Sequence, residues 1–254
     1  MSRIVCWFSC GAASAVATKL AISDNNGKLP IVIAYTEIAE EHQDNKRFLS
    51  DCEKWFGQEI IVLRNEKYKG SAKEVYRKER FLVGPTGAAC TRLLKRQTRV
   101  LFEEEDDYQV FGFTAEENDR ASDFKDRNGY VKGLFPLIDR GLVKSDCLAM
   151  IEDAGIELPF MYKLGYRNNN CIGCVKGGAG YWNKIRVDFP IVFKEMAEIE
   201  RELGRSVIRV KIEGTKKSKS LYLDELPVNM GRHQDEPDIE CSFFCNMAKM
   251  EYAA

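Results

Sequence analysis

Ile4-Val5-Cys6-Trp7-Phe8-Ser9-Cys10-Gly11-Ala12-Ala13-Ser14-Ala15-Val16-Ala17 is the segment from which the rest of the chain can be interpreted. Its apolar first residues predict a buried strand, its small residues a turn, and its alanines a helix. Backbone N–H groups can approach an anion closely in such a turn, and the Ser9 and Ser14 hydroxyls can donate as well. The segment therefore predicts a nucleotide phosphate site, or alternatively a plain tight turn between strand and helix.

The next apolar runs predict a parallel sheet. Residues 29–35 and 59–63 read as further strands, and residues 11–28 are long enough for one crossover helix, which makes a parallel βαβ unit. Thr36 and Glu37 come directly after the second strand. Ligands of open α/β sheets bind at the carboxyl ends of the strands, so these two side chains are predicted nucleotide contacts.

A fourth strand is predicted at residues 108–113. Thr114 and Glu116 follow its carboxyl end and are candidate nucleotide contacts for the same reason. The polar run continues to about residue 133, and a loop of that length inside a compact domain is usually functional or disordered. The sequence thus predicts a lid over the nucleotide, with Arg120 placed to meet a phosphate or sulfate.

Composition indicates a globular protein. The chain has 254 residues, of which 44% are hydrophobic and 30% charged, enough for one large core or a core with a small appendage. No apolar run approaches the roughly 20 residues that span a bilayer, and the N-terminus enters a strand directly. We therefore expect a cytoplasmic protein with no membrane partner. The formal net charge of −1 provides no general attraction to nucleic acid, so such binding would need a local patch.

Several basic residues follow Cys90 in the sequence. Arg92 and Lys95 follow it in a predicted helix, and a helix N-terminus with nearby cations favours the thiolate. This arrangement suits an anion site or a metal ligand. Alternatively, the basic side chains of this helix form a solvated face that acidic residues 103–107 balance. Those side chains are Arg92, Lys95, Arg96 and Arg99.

The cysteine count points away from disulfides. Nine cysteines, an odd number, indicate thiols or metal ligands. Two chelating pairs occur, Cys171-x-x-Cys174 and Cys241-x-x-x-Cys245. Their spacing is typical of zinc or iron–sulfur sites, and neither pair alone can complete one. Three further cysteines are predicted to be structural core residues: Cys6, Cys52 and Cys147.

Five blocks of this sequence together resemble the phosphoadenosine phosphosulfate (PAPS) reductase family. In the first, Ser9, Gly11 and Ser14 match the loop S-G-G-x-D-S of adenine-nucleotide alpha-hydrolases, from which Cys10 and Ala13 depart. The others are Gly112-x-x-x-Glu116-x-x-x-Arg120, Phe135-Pro136-Leu137-Ile138-Asp139, Gly155-Ile156-x-x-Pro159-x-x-Tyr162-x-x-Gly165-Tyr166 and Cys171-Ile172-Gly173-Cys174. Neither a Walker loop nor G-x-G-x-x-G occurs in residues 9–14.

The resemblance implies an α/β fold of the adenine nucleotide alpha-hydrolase-like, PP-loop type. Residues 1–167 would form its parallel-sheet, nucleotide-binding domain and residues 168–254 a cysteine-bearing C-terminal segment packed on it. ATP, adenylyl sulfate (APS) or PAPS would bind at the loop, which consists of Ser9, Cys10, Gly11, Ala12, Ala13 and Ser14. Ala13 stands where the pattern has an acidic residue, which removes one partner for Mg²⁺.

The resemblance also implies roles for the cysteines. In the iron–sulfur branch of the family, a Cys-Cys pair stands where this chain has Ala89-Cys90, and a C-x-x-C motif stands where it has Cys171 and Cys174. A 4Fe-4S cluster, with zinc as the alternative, would then be held by Cys90, Cys171, Cys174 and a fourth thiolate from Cys245 or Cys241. Glu240-Cys241 is also similar to the start of the family motif E-C-G-L-H, whose cysteine attacks the substrate sulfur. Cys241 is therefore a candidate catalytic nucleophile, although the next four residues depart from that motif.

Three functions follow as expectations. The leading one is an iron–sulfur sulfonucleotide reductase, in which Arg92, Lys95 and Arg120 balance the sulfate charge and a thiol reductant such as thioredoxin restores the enzyme. The alternative is an ATP-dependent sulfurtransferase acting on tRNA or DNA, and a further one is a non-catalytic nucleotide-binding protein. Residues 205–219, with six basic residues against one acidic residue, predict either a nucleic-acid face or a solvated loop. The sequence does not specify an oligomeric state.

Overall fold

A parallel sheet of five strands organises the N-terminal part of the chain, as the sequence predicts. The computed structural model describes residues 2–85, 87–211 and 218–239, and only the backbone of Lys211. The strands of these residues are β1 (Ile4–Phe8), β2 (Ile31–Thr36), β3 (Ile60–Leu63), β4 (Val83–Gly84), β5 (Gly87–Ala88), β6 (Tyr108–Val110), β7 (Lys132–Leu134), β8 (Ile208–Lys211) and β9 (Ser218–Leu221). Their α-helices are α1 (Ala12–Asn25), α2 (Asn45–Phe56), α3 (Ala72–Glu79), α4 (Gln97–Phe102), α5 (Asn118–Arg127), α6 (Lys144–Asp153), α7 (Phe160–Lys163), α8 (Ala179–Asp188) and α9 (Pro190–Leu203).

The sheet has the order β3-β2-β1-β6-β7, which puts the quoted N-terminal strand at its centre. Ile4 of β1 lies opposite Ile31 of β2 on one side and Tyr108 of β6 on the other. All five residues of β1 are buried, because a central strand of a parallel sheet is covered on both faces and reads as a continuous apolar run. The edge strand β7 was not predicted from the sequence.

Two compact units divide the described residues, and their boundaries differ from the expected one at residue 167. Unit 1 comprises residues 2–37, 42–64 and 98–169. Unit 2 comprises residues 38–41, 65–97 and the described residues from 170 onward. The C-terminal part of the chain thus shares its unit with two earlier segments, one of which contains Cys90.

Three cysteines belong to the core of unit 1, as predicted. Cys6, Cys52 and Cys147 are fully buried among apolar side chains of the sheet and its helices. Burial raises the pKa of the Cys6 thiol and that of the Cys147 thiol to about 12. Both side chains are therefore neutral, weakly reactive packing groups at physiological pH.

Residues 114–133 are not the long loop that the sequence predicts. A 3₁₀ turn at Ala115–Glu117 leads into α5, and β7 follows. Four aromatic rings pack together, and one of them, Phe124, lies on the apolar face of α5. The four are Phe111, Phe113, Phe124 and Phe135. The helix was missed because Ala121 and Phe124 are its buried residues and the remainder of its sequence is polar.

Residues 205–219 include strand β8 and the start of the antiparallel strand β9, in a stretch for which the sequence predicts either a nucleic-acid face or a solvated loop. The pairing sets Arg209 opposite Ser220 and Val210 opposite Lys219. Because successive residues of a strand point to opposite faces, the exposed cations Arg209 and Lys219 lie on different faces of the hairpin. The described part of this stretch therefore does not form a single basic face.

Candidate nucleotide site and cysteine cavity

The predicted phosphate loop of unit 1 closes on itself through its two serines. The Ser14 hydroxyl accepts from the backbone N–H and from the hydroxyl of Ser9, each at 3.1 Å, and donates to the Gly11 carbonyl at 2.9 Å. Gly11 precedes α1 in an extended conformation. The Tyr162 hydroxyl accepts from the Ala12 N–H at 3.3 Å. The loop thus has a defined shape at the N-terminus of a helix, which is a favourable place for an anion.

Cys10 adopts the left-handed conformation, with φ of 54°, at the position where the family loop has glycine. An L-residue in this region is strained by roughly 1–2 kcal/mol, and neighbouring groups hold it there. Asn169 Nδ2 donates to the Cys10 carbonyl at 2.7 Å and to Asn45 Oδ1 at 2.8 Å. The Cys10 thiol is fully buried, with its sulfur 3.9 Å from the Asn45 carbonyl. This network explains how the loop keeps its turn without the glycine.

The other side of the loop is defined by a close contact between two backbone segments, one at Gly112 and one at Ser14. A Cβ atom added to Gly112, just after β6, would lie 2.8 Å from the Ser14 backbone N and Cα. At Gly11 the same addition would meet only Tyr162 and Ser9 side-chain atoms, at 3.6 and 3.8 Å. Gly112 is therefore the glycine on which the position of the α1 N-terminus depends.

Thr36 ends β2, where the sequence predicts a nucleotide contact. Its hydroxyl is buried and has no hydrogen-bond partner, and a buried polar atom in that state costs about 1–3 kcal/mol. The Oδ1 atom of Asn169 is in the same condition. Glu37, by contrast, pairs with Arg64 at 3.5 Å. Thr36 Oγ1 and Asn169 Oδ1 are therefore candidate hydrogen-bonding atoms for a molecule bound to unit 1.

The other predicted contacts of unit 1 are engaged within it. The backbone N–H and the hydroxyl of Thr114 donate to Glu117 Oε2 at 3.1 and 3.4 Å. Glu116 Oε2 accepts from the Lys144 backbone N–H at 3.2 Å. Arg120 forms an ion pair with Glu117, and its guanidinium carbon lies 4.8 Å from the centre of the Phe113 ring.

Unit 2 contains a partly open pocket that brings together three of the predicted ligands, Cys90, Cys171 and Cys174; its space of about 500 Å³ includes solvent at its mouth. We call it the cysteine cavity. Its other lining residues are Ile38, Glu40, Ala72, Lys73, Tyr76, Thr91, Lys95, Asn170, Ile172, Gly173 and Met196. Within the described residues, no three His, Cys, Asp or Glu side chains are arranged to hold a metal ion. Cys241 and Cys245 lie outside the described residues.

The C-x-x-C segment is held by backbone contacts that the sequence did not reveal. The Tyr181 hydroxyl accepts from the Cys174 N–H at 2.9 Å and donates to the Cys171 carbonyl at 3.2 Å, so it bridges both ends of the motif. Gly173 between them has a φ of +74°, a conformation that glycine adopts without strain. The Ile172 N–H donates to the Glu40 carbonyl at 2.9 Å.

Cys90 meets the buried side chain of Tyr76, whose hydroxyl donates to the Cys90 sulfur at 3.2 Å. Burial first, and then the negative charge of the nearby thiolates, hold the pKa of Tyr76 well above its ordinary value. Tyr76 therefore keeps its proton and remains a donor. After Cys90 the chain forms a π-helical turn at Thr91–Arg96, a feature that is frequent at functional sites.

The basic residues near Cys90 do not share one environment. Lys95 lines the cysteine cavity and pairs with Glu41 at 3.8 Å, whereas Arg92 is exposed and does not line it. Arg99, predicted to be solvated, is fully buried, and its Nη1 donates to Glu103 at 2.7 Å. The expectation was wrong for Arg99 because Glu103, four residues further along the chain, neutralises the buried guanidinium from a half-buried position.

Comparisons with known proteins identify a fold likeness alone. Neither a protein-family model nor a curated protein matches the sequence. Among solved structures, the chain is similar to the U34-tRNA thiolase NcsA from Methanococcus maripaludis with its 4Fe-4S cluster. The identity is 11% and the TM-score 0.43, over 86% of this chain and 78% of that one. A likeness of this size supports no conclusion about activity.

In the described part of the chain, no helix combines the length and the apolar character needed to cross a bilayer.

Proposed function

We propose that this chain is an ATP-dependent sulfurtransferase of the PP-loop type that acts on a nucleic acid, tRNA or DNA. The observation that supports the proposal most is the presence of three thiols on one cavity of unit 2: Cys90, Cys171 and Cys174. Thiols that are brought together from distant parts of a chain, without disulfides, are characteristic of metal binding or sulfur chemistry.

The adenine nucleotide would bind at the loop of unit 1. The N-terminus of α1 attracts phosphate oxygens, and the Ser9 and Ser14 hydroxyls can exchange their bonds within the loop for bonds to the ligand. The buried Thr36 hydroxyl, which has no partner, would gain one from the nucleotide. Both features lie where ligands of open α/β sheets bind, at the carboxyl ends of the strands.

An iron–sulfur centre would be held by Cys90, Cys171 and Cys174, with a fourth thiolate from Cys241 or Cys245. The donors fit such a group, because thiolates are the preferred ligands of iron–sulfur clusters and of zinc. When bound, the centre would supply a place to carry the sulfur that is transferred. The residues around it keep the sulfur atoms in position, and Tyr181 does so by bridging the C-x-x-C backbone.

The chemistry proceeds in two displacements. An oxygen of the target base attacks the α-phosphorus of ATP and pyrophosphate leaves, which makes the base oxygen a good leaving group. The sulfur of a hydrosulfide ion then attacks the base carbon, the bond from that carbon to oxygen breaks, and AMP leaves with the oxygen. The helix N-terminus at the loop and its backbone N–H groups stabilise the charge that develops on the phosphate.

The state of the cations favours sulfur transfer over sulfate reduction. A sulfonucleotide reductase would need Arg92, Lys95 and Arg120 to balance the sulfate charge. Lys95 and Arg120 each have a carboxylate partner, Glu41 and Glu117, and a cation that is already neutralised attracts an anion less strongly.

Sulfonucleotide reduction is the second candidate, and the sequence Glu240-Cys241 favours it. If Cys241 is the nucleophile, its thiolate attacks the sulfur of APS or PAPS, and a thiol reductant such as thioredoxin releases sulfite. Replacing Cys241 by Ser should then leave the iron content unchanged and abolish sulfite release.

One experiment separates these activities. Protein purified under anaerobic conditions is assayed for iron and sulfide and incubated with sulfide and unmodified tRNA or DNA, with or without ATP. We expect pyrophosphate release and a thiolated nucleoside, detected by mass spectrometry, both dependent on ATP. Cys171→Ser should lose the thiolated product and retain nucleotide binding.

Two outcomes would contradict the proposal. Sulfite release from APS or PAPS in the absence of ATP would establish the reductase. Nucleotide binding by calorimetry without any cleavage, in protein that holds its full metal content, would establish a non-catalytic nucleotide-binding protein.

A further inference from the structure

One hydrogen bond in the cysteine cavity has chemical consequences for the metal centre. Tyr76 is 3% exposed, and its hydroxyl lies 3.2 Å from the Cys90 sulfur. The ring is buried, so this hydroxyl donates to the sulfur from within the protein interior. The nearby cations Lys73 and Lys95 are paired with Glu195 and Glu41.

The helix that carries Tyr76 is anchored to the same residue as the C-x-x-C segment. The Glu40 carboxylate accepts from the Ser71 hydroxyl at 2.6 Å and from the Ala72 N–H at 2.7 Å, at the start of α3. The Glu40 carbonyl accepts from the Ile172 N–H at 2.9 Å. Glu40 therefore aligns Tyr76 with Cys171 and Cys174, which makes the direction of the tyrosine hydroxyl a built feature.

We propose that Tyr76 is a positioning residue that holds the Cys90 sulfur as a metal ligand and raises the reduction potential of the iron–sulfur centre. This inference rests on the proposed function. Reduction places additional negative charge on the ligand sulfurs, and a hydrogen bond to sulfur stabilises that charge. The reduced state therefore gains more from the Tyr76 hydroxyl than the oxidised state does.

The test is Tyr76→Phe, which removes the hydroxyl and keeps the ring. Tyr68→Phe is the matched control, because Tyr68 is also a buried tyrosine of unit 2, but its hydroxyl donates to Glu79 and it does not line the cavity. Both variants are loaded with iron and titrated with redox dyes while paramagnetic resonance follows the reduced centre. In Tyr76→Phe the ratio of reduced to oxidised centre at a fixed potential should fall at least threefold, a shift of about 28 mV for a one-electron couple. Tyr68→Phe should match the parent protein.

A second substitution tests the sign and keeps both the ring and its hydroxyl. Site-specific replacement of Tyr76 by 3-fluorotyrosine makes the hydroxyl a stronger donor, so the potential should rise. Iron-loaded Tyr76→Phe with the parent potential, or a fall in potential with the fluorinated ring, would overturn the inference and leave the proposed function intact. A parent chain that binds no iron would instead defeat the proposed function, and the inference with it.

Discussion

Cys10 shows how one side chain adapts to a backbone that normally requires glycine. Its φ of 54° favours glycine, whereas its buried thiol contributes packing. Cys10→Gly relieves the strain and Cys10→Ala does not, although both remove the sulfur. Urea unfolding should therefore find Cys10→Gly more stable than Cys10→Ala by about 1 kcal/mol. Equal stabilities would show that Asn169 and Asn45 relieve the strain fully.

Thr36 offers a test in which stability and binding change in opposite directions. Thr36→Val replaces the buried hydroxyl that has no partner with a methyl group of similar size, so unfolding should require up to about 1 kcal/mol more free energy. Calorimetry should find ATP binding weakened roughly tenfold, because the hydroxyl no longer meets the ligand.

Thr18→Val is the control for that substitution. The Thr18 hydroxyl is also buried, but it donates to the Ser14 carbonyl at 2.8 Å. Its loss should destabilise the chain by about 1 kcal/mol. Unchanged ATP affinity in Thr36→Val would remove Thr36 from the nucleotide site.

The side chains that sequence patterns missed all act by holding other residues of the site in place. Asn169 contacts Cys10 across 159 positions, and the Tyr76 and Tyr181 hydroxyls act on cysteines that the spacing identified without them. Motif spacing indicates which residues can bind a ligand. It does not indicate which other side chains will hold those residues in place, because that depends on tertiary packing.

Between β6 and α1 the contact is made by backbone atoms, and Gly112 is the residue that permits it. In Gly112→Ala the new methyl group would meet the Ser14 backbone at 2.8 Å, so the N-terminus of α1 must move. We expect a loss of about 1–3 kcal/mol in thermal or urea unfolding, together with weakened ATP binding.

Gly129→Ala provides the comparison for Gly112→Ala, since a Cβ atom at Gly129 has nothing within 4 Å. Its stability and ATP affinity should equal those of the parent. A Gly112→Ala protein that behaves like Gly129→Ala would mean that α1 can shift without consequence for the loop.

The hairpin β8–β9 depends on a buried carboxylate that makes its stability sensitive to pH. Glu200 in α9 accepts from the Val207 and Leu223 backbone N–H groups, each at 2.6 Å. Burial raises the pKa of Glu200 from 4.5 to about 7. Between these values the folded chain binds more protons than the unfolded chain, so stability falls as pH rises, by at most about 1.4 kcal/mol per unit.

Glu200→Gln should flatten that slope in urea unfolding between pH 4.5 and 7, because the amide does not titrate. The exposed neighbour Glu202 is the control, and Glu202→Gln should retain the slope. A slope that survives in Glu200→Gln would assign the pH dependence to other groups.

Secondary structure could be predicted where apolar residues are continuous and not where they are sparse. The central strand β1 and helix α1 follow from the first residues of the chain. The helix α5 did not, because its contribution to the core is essentially one phenylalanine, Phe124. The helix is held in place because Phe124 packs against aromatic rings of other segments, those of Phe111, Phe113 and Phe135.

The division into two units predicts which amides should exchange faster when the metal is removed. Hydrogen exchange of iron-loaded and chelator-treated protein should differ most in unit 2. In the absence of metal, amides of residues 171–174 and of α3 should exchange at least about tenfold faster, since metal binding and folding are coupled. Amides of β1 and α1 belong to unit 1 and should be unchanged. Equal acceleration in both units would show that they unfold together.

The domain arrangement was the least predictable property of the chain. The boundary at residue 167 followed from the likeness to the PAPS reductase family, and the last junction between the units lies at residue 169. That residues 38–41 and 65–97 belong to unit 2 could not be predicted. The sequence pattern of a connecting segment does not indicate which core the segment packs against.

That membership has a consequence for how the protein is made. Translation proceeds from the N-terminus, so the segment with Cys90 leaves the ribosome about 80 residues before Cys171, a delay of roughly 4 to 16 seconds. During that interval unit 1 is being finished, while the early portions of unit 2 still lack the C-terminal residues that complete it. Assembly of the cysteine cavity therefore follows the synthesis of the sheet residues of unit 1, and any metal would enter only after Cys171 and Cys174 have been made.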